Sequence, residues 1–511
     1  MDTLIAGVPI TVLVVLLVAR VRAAIAVAGA IVCALAAAWR FPVDPAAAVE
    51  AGAALGATTL TVAIIMFAGM ALAKLQQLAG AQQALSRWLE DLSFSRERAV
   101  LFLGVCLVPL IESLIGWGMG VIFVLPLLGA IGLPTIKAVQ ISLLGLSLCP
   151  WGSFAPALLL MSETTGLSVA ALGTATAWSN CVVIAVLALT TALVSGGRAQ
   201  LGRCWPELLC TWLAMSGVLV AANALLAPPL GGVVSALAGA LVLGMFARAE
   251  RSRVAGAAAA AAGALGTPRR GAARMPGLAK RGLIPFAVVL FGLGAATFLA
   301  PLSGPGWLRA VLLNPAFWIM LALVCAPASL RMTATAVRNG LAESFRVFVP
   351  AAVVTLLFIG LGMLLGVNGM GAELARGATA LGGAFVPLVP LMGLASGWVT
   401  GSNTASVAML SQPLQFAALG LGADPVAVLG LHTAATGAGI TMNPARAVLA
   451  IETARLLPPA ESGTQAEPGG GRTSLAAAEP AIRLGRVLAP LLWANAAIAV
   501  LLVPVGVLRV G

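Results

Sequence analysis

Apolar residues in this chain come in long unbroken runs, not in alternation. A membrane-crossing helix needs about 20 predominantly apolar residues. Runs of that order recur at 3–19, 23–39, 52–73, 99–131, 138–157, 168–195, 206–227, 229–247, 283–301, 308–327, 347–366, 378–419, 425–455 and 485–508. Several are too long for one straight helix, or are interrupted by Gly and Pro. Backbone groups in lipid must pair within helices or a closed barrel, and barrel strands alternate apolar and polar residues. The continuous runs therefore predict an all-α polytopic membrane protein with about 12–14 transmembrane or re-entrant helices.

Composition sharpens this picture. Of 511 residues, 60% are hydrophobic and 9% charged, against about 25% charged in soluble domains. A soluble enzyme, a disordered scaffold and a secreted disulfide-rich protein are excluded. The formal charge of +12 does not point to nucleic acid, because the basic residues sit between apolar runs. Arg20 and Arg22, then Lys74, Arg87, Arg96 and Arg98, then the Arg-rich stretch from Arg248 to Arg281, then Arg331, Arg338 and Arg346 form four clusters. Counting the spans puts all four on one side, which is cytoplasmic by the positive-inside rule, with the N-terminus outside. The opening Met-Asp lacks a basic stretch, so the first run reads as a retained helix. The seven Cys show no CxxC spacing and read as small buried hydrophobes.

Five segments are expected: an N-terminal transmembrane half (1–247), a basic Ala/Gly/Arg-rich linker (248–282), a C-terminal transmembrane half (283–457), a polar loop (458–484) and a final helix (485–511). Residues 78–98 carry apolar positions at helical spacing. They fit a helix lying on the membrane surface or an ordinary loop helix.

The two halves carry matching fragments in the same order. Gly116-Trp-Gly-Met-Gly120 pairs with Gly397-Trp-Val-Thr-Gly401, Ala130-Ile-Gly-Leu133 with Ala418-Leu-Gly-Leu421, and Pro156-Ala157 with Pro444-Ala445. With the span count above, the two copies enter the membrane from opposite sides. Two inverted repeats with helices broken at mid-membrane are the plan of many secondary transporters. A broken helix frees backbone groups that a bound anion or ion can satisfy, and helix N-termini favour anions. Gly116, Gly118 and Gly120 with Gly397 and Gly401 are thus candidates for an anion cradle, walled by Trp117 and Trp398. The plainer alternative is close helix packing through small residues.

Ionisable groups inside apolar runs are functional candidates by default. Glu112 lies four residues before Gly116. Desolvation disfavours a charged carboxyl, so Glu112 is a candidate proton carrier, or else the counter-charge to an Arg. Ser402, Asn403 and Thr404 follow the second Gly cluster and offer small donors, or helix caps. His432 is the single His and titrates near neutrality when unperturbed; it is the second proton candidate, or a structural hydrogen-bonding residue. Thr433, Asn443 and Arg446 are secondary candidates. Arg446 could balance a substrate carboxylate, but pairing with Glu452 or snorkelling to the interface is the expected role. No P-loop, HExxH or metal-spaced His/Cys set occurs, so no enzyme, metal or cofactor is expected.

At these residues the chain resembles the L-lactate permease family. Glu112-Ser-Leu-Ile-Gly-Trp-Gly118 is similar to that family's Glu-Gly-Ala-Ala-Gly-Phe-Gly, and Thr400-Gly-Ser-Asn-Thr-Ala-Ser406 to its Thr-Gly-Ser-Asp/Asn-Thr-Ser-Ser. His432-Thr433 and Gly439-Ile-Thr-Met-Asn-Pro444 are similar to its Asn-Thr and Gly-Lys-Met-Ile-Ser-Pro. The resemblance implies a multi-pass symporter of the bacterial inner membrane that takes up L-lactate, glycolate or a related 2-hydroxymonocarboxylate with protons; coupling to sodium is a rival reading. It also implies inverted repeats and re-entrant hairpins. Ile440 stands where the family has Lys, and His432 where it has Asn; if that Lys holds the substrate, Arg446 or His432 must replace it here. A permease for another organic anion, and a non-transporting membrane sensor or assembly subunit, are the rival readings. Oligomeric state is left open.

Overall fold

A computed structural model describes residues 1–19, 21–90, 95–262, 275–299, 306–455 and 483–510. Among these residues the chain is helical throughout, with no strand. The first half runs α1 (Asp2–Val18), α2 (Ala23–Ala36), α3 (Pro45–Leu78), α4 (Ala81–Glu90), α5 (Arg96–Leu101), α6 (Val108–Ile115), α7 (Met119–Ala130), α8 (Thr135–Leu144), α9 (Pro156–Thr165), α10 (Val169–Leu225) and α11 (Gly231–Ala262). The second runs α12 (Gly277–Leu299), α13 (Gly306–Leu313), α14 (Pro315–Leu330), α15 (Ala334–Val367), α16 (Met370–Thr379), α17 (Phe385–Thr400), α18 (Asn403–Gly420), α19 (Pro425–Ile440), α20 (Pro444–Arg455) and α21 (Leu484–Val510).

Among the described residues, eight helices are long and apolar enough to cross a membrane, or nine if α13 and α14, bent by 64°, form one span. The count expected from hydropathy is larger because α1 and α2 fall short of that length, runs 168–195 and 206–227 join in α10, and runs 138–157 and 425–455 are each split into shorter helices; runs 99–131 and 378–419 are split too, but each keeps one helix of membrane length. Run 99–131 becomes α5–α6 and α7, run 138–157 becomes α8 and the start of α9, run 378–419 becomes α17 and α18, and run 425–455 becomes α19 and α20. The element order helix, break, helix, turn, helix, break, helix thus occurs twice, over α6–α9 and over α17–α20.

The basic stretch after 247 differs from a simple linker. Helix α11 continues to Ala262 and α12 starts at Gly277; the intervening residues, like most of the polar stretch after 457, lie outside the described ones. Between α5 and α6 the ladder widens to a π turn over Phe102–Leu107. It lies just before Pro109, which supplies no N–H to a helix. Helix α10 bends at Gly196–Gly197.

Helix α19 is the centre of the fold. It is buried from Ala427 to Ile440 and packs against α10, α17 and α21. Its contact with α17 is backbone to backbone: a Cβ on Gly397 would lie 2.1 Å from the Thr436 carbonyl oxygen, and one on Gly439 would lie 2.2 Å from that of Leu394. In lipid, where hydrophobic attraction between helices is absent, such close approach supplies the packing that holds them together. Gly439→Ala should force these backbones apart at a cost of about 1–3 kcal/mol. A clear fall in the melting temperature of the detergent-purified protein is expected; an unchanged melting curve would refute this account of the α17–α19 contact.

Candidate functional site

The first break lies between α6 and α7. Gly116, Trp117 and Gly118 all adopt positive φ (77°, 63° and 77°). Glycine takes this region freely, whereas Trp117 is held there at a cost of order 1–3 kcal/mol. The turn brings the Gly118 N–H back onto the Glu112 carboxylate, at 3.1 Å from Oε1 and 3.0 Å from Oε2. A buried carboxylate is thereby placed at the N-terminal end of α7, where the helix dipole favours it.

The break between α8 and α9 lies against the first. Ser153 N donates to the Glu112 carbonyl (3.2 Å), Phe154 N to that of Ser113 (3.0 Å), and Ser153 Oγ to that of Ile115 (2.6 Å). The last carbonyls of a helix have no partner within it; here a second break supplies the partners.

In the second half α17 ends at Gly401 (φ 64°) and Ser402 caps α18, its hydroxyl accepting from Ala405 N. The break after α19 again serves the helix that ends nearby. Asn443 Nδ2 donates to the Trp398 carbonyl at 2.7 Å. Arg446, on the first turn of α20, donates from Nε and Nη2 to the Gly401 carbonyl at 3.3 and 3.1 Å.

Arg446 then joins the two halves. Its Nη1 lies 3.3 Å from Glu112 Oε1, with side chains 17% and 3% exposed. Asn443 Oδ1 accepts from the Arg446 backbone N–H at 3.1 Å and fixes the start of α20. The guanidinium lies over bare backbone, since a Cβ on Gly118 would sit 2.9 Å from Nη1.

Around this ion pair is a cavity of about 60 Å³. Glu112, Gly116 and Trp117 line it from the first half, and Gly401, Ser402, Asn403, Thr404 and Arg446 from the second. Further lining comes from Met66 of α3, the α8–α9 break with Cys149, Gly152 and Ser153, the start of α9, Thr355 of α15 and Ile440 at the end of α19. The structure therefore brings together residues that the sequence pointed to in two distant segments.

Other candidates lie elsewhere. Gly397 and Trp398 are inside α17, before its end, so the paired five-residue fragments do not occupy equivalent places. The turns that match in φ are Gly132 and Gly422, two residues off the sequence pairing, whereas Pro156 and Pro444 each open a helix as paired. Gly397 is packed on Thr436, and Gly120 on α6, where a Cβ would meet the Val108 carbonyl oxygen at 2.5 Å. Both glycines serve close packing rather than a cradle. Arg446 neither pairs with Glu452 nor snorkels: Glu452 is bound to Arg455 at 2.6 Å.

His432 sits beside the cavity, not in its wall. Its Nε2 lies 3.5 Å from Ser406 Oγ, which contacts Ser396 Oγ at 2.6 Å and Thr436 Oγ1 at 3.2 Å. Its Nδ1 has no hydrogen-bond partner among the described residues. Thr433 Oγ1 turns to its own helix, donating to the Leu429 carbonyl at 2.8 Å. The sequence reading missed Ser153 and Cys149. The density of Gly and Pro from Pro150 to Pro156 was the available signal, hidden within an apolar run treated as one span.

A family model described as L-lactate permease matches residues 2–293 and 307–459. No curated protein matches the chain by sequence. Among solved structures the chain is similar to the YdaH transporter of Alcanivorax borkumensis, with 15% identity over 88% of this chain and 85% of that one, and a TM-score of 0.44.

Removing one partner of a buried pair leaves an uncompensated charge at about 3–5 kcal/mol, while removing both is far milder. Arg446→Met should therefore lower the melting temperature strongly, and Glu112→Gln together with Arg446→Met should recover much of that loss. Additive losses in the double variant would mean that the two side chains do not interact.

Proposed function

The chain belongs to the L-lactate permease family and is a multi-pass membrane transporter rather than an enzyme, and from that premise we propose that it takes up a small monocarboxylate such as L-lactate or glycolate together with a proton. The observation that carries this reading is the Glu112–Arg446 pair in the cavity wall, where the two helix breaks meet. We further read α6–α9 and α17–α20 as inverted repeats of a protein of the bacterial inner membrane.

The charge count favours co-transport. Empty, the site holds one carboxylate and one guanidinium, which cancel. An entering carboxylate competes with Glu112 for Arg446 and leaves the site with one net negative charge. Unbalanced charge in low dielectric is costly, and a proton on Glu112 restores the balance. Anion and proton are then favoured together and neither alone. Arg446 supplies the cation for the substrate, while Ile440, in the position where the family has Lys, contributes an apolar wall.

Size supports the same class. By the measure in which one water needs about 10–15 Å³, a cavity of about 60 Å³ has room for roughly four to six small heavy atoms. That suits a two- or three-carbon acid better than a larger di- or tricarboxylate. Ser402 and Thr404, which line the same cavity, add hydroxyl donors for the anion.

Glu112→Gln in proteoliposomes should abolish accumulation of labelled lactate driven by an inward proton gradient, while exchange of internal for external lactate continues. Loss of both activities with normal folding would remove Glu112 from the proton step. Accumulation driven by a sodium gradient and unchanged in the variant would replace the proton by sodium.

A further inference from the structure

Helices α8, α10 and α21 each pack against the other two, and the start of α8, the bend of α10 and the start of α21 meet at one end of the bundle. Lys137, on the first turn of α8, donates from Nζ to the Ser195 carbonyl at 3.0 Å, just before the Gly196–Gly197 bend of α10. One turn further along α8, Gln140 Nε2 donates to the Arg486 carbonyl at 2.8 Å, in the first turn of α21. Lys137, Arg198, Arg483 and Arg486 are thereby gathered around one corner.

No acid answers them. Neither α8 nor α21 has an acidic residue in its first turn. Arg198, Arg483 and Arg486 are exposed and have no ion pair or side-chain hydrogen bond among the described residues. An ammonium carries three N–H donors, so the bond to Ser195 leaves Lys137 two more. The basic side chains of the adjoining elements are already engaged: Arg96 with the Gly132 carbonyl, Arg98 with Glu207 and Glu250, and Arg203 with Glu97. On α20, which also packs on α8, Glu452 is neutralised by Arg455. Further along the same helices, away from the charged end, the surface is apolar. Leu189 and Leu193, two turns and one turn before the bend of α10, are 42% and 38% exposed, and Trp493 of α21 is 77% exposed.

We propose that this corner binds the phosphate headgroup of an anionic phospholipid, whose acyl chains lie along α10 and α21. Basic pockets between membrane helices take such headgroups, and the guanidinium fork matches phosphate oxygens. The bilayer already holds a lipid at this depth, whereas a soluble phosphate must be drawn from water, so the same donors hold the lipid more tightly. The headgroup bridges α8, which leads into the second helix break, and α21, which packs on α17 and α19. Binding to the folded chain alone raises its stability.

The test is thermal unfolding of the full chain in nanodiscs of phosphatidylcholine, in nanodiscs that also contain phosphatidylglycerol, and in phosphatidylcholine nanodiscs with glycerol 3-phosphate in the buffer. Phosphatidylglycerol should raise the melting temperature by about 3–5 °C, and glycerol 3-phosphate should leave it unchanged. The triple variant Arg198→Gln, Arg483→Gln, Arg486→Gln should melt like the wild type in phosphatidylcholine and lose most of the rise. The three single replacements, each expected to remove part of it, serve if the triple variant does not fold. Arg331→Gln, Arg338→Gln and Arg346→Gln together, in a separate basic cluster, should keep the rise. The absence of any rise in the wild type overturns the inference, as does a rise that persists in the first triple variant. An equal rise with glycerol 3-phosphate would make the corner a site for soluble phosphate. Equal loss in both triple variants would reduce the effect to diffuse attraction by a basic face, and either result overturns the inference.

Discussion

A carboxylate 3% exposed and a guanidinium 17% exposed, brought to 3.3 Å from helices 334 positions apart in the chain, set the terms for everything around the cavity. Neither charge could be buried alone, because desolvating an isolated ion costs more than the fold can spare. Glu112 is therefore met by Arg446 on one side and the Gly118 N–H on the other. Arg446 is held in turn by the Gly401 carbonyl and by Asn443. Several features that look unrelated follow from this requirement. Residue 118 has no side chain because the guanidinium lies over it, and the carbonyl at the end of α17 is turned toward a cation. Helix α20 begins where its first turn reaches the other half of the chain.

The four helix breaks solve their backbone problem in pairs. In each half the second break supplies donors to the closing turn of the helix at the first: Ser153 and Phe154 for α6, Asn443 and Arg446 for α17. Irregular backbone survives at membrane depth only when protein or a cavity replaces the lost ladder. Here the breaks do so for one another, and the space left between them is the cavity. Architecture and site are one construction.

Hydropathy made most of the helices legible, because continuous apolar runs leave little alternative in a membrane. The breaks were legible where glycine carries them, at Gly116, Gly118 and Gly401. They were obscured from Pro150 to Pro156, where left-handed Ser153, Phe154 and Ala155 are not residues that announce a turn. Glu112 stood out as a carboxyl within an apolar run. Its partner did not, since Arg446 has Glu452 nearby in sequence and nothing local reveals a contact across the fold. Gly397 and Gly120 misled because glycine serves turns and close packing equally well, and spacing does not separate the two. His432, marked as a proton candidate or a structural hydrogen-bonding residue, belongs to a hydroxyl cluster one layer away from the cavity.

The cancellation of charge between Glu112 and Arg446 has an electrical side. A membrane potential does work only on net charge, about 2.3 kcal/mol per elementary charge for every 100 mV. A lone Glu112 or a lone Arg446 would tie the facing of the empty cavity to that potential, biasing the vacant carrier toward one side of an energised membrane. Held together, the two side chains carry no net charge, so on the proposed transport reading the return of the vacant site would move none of their charge through the field.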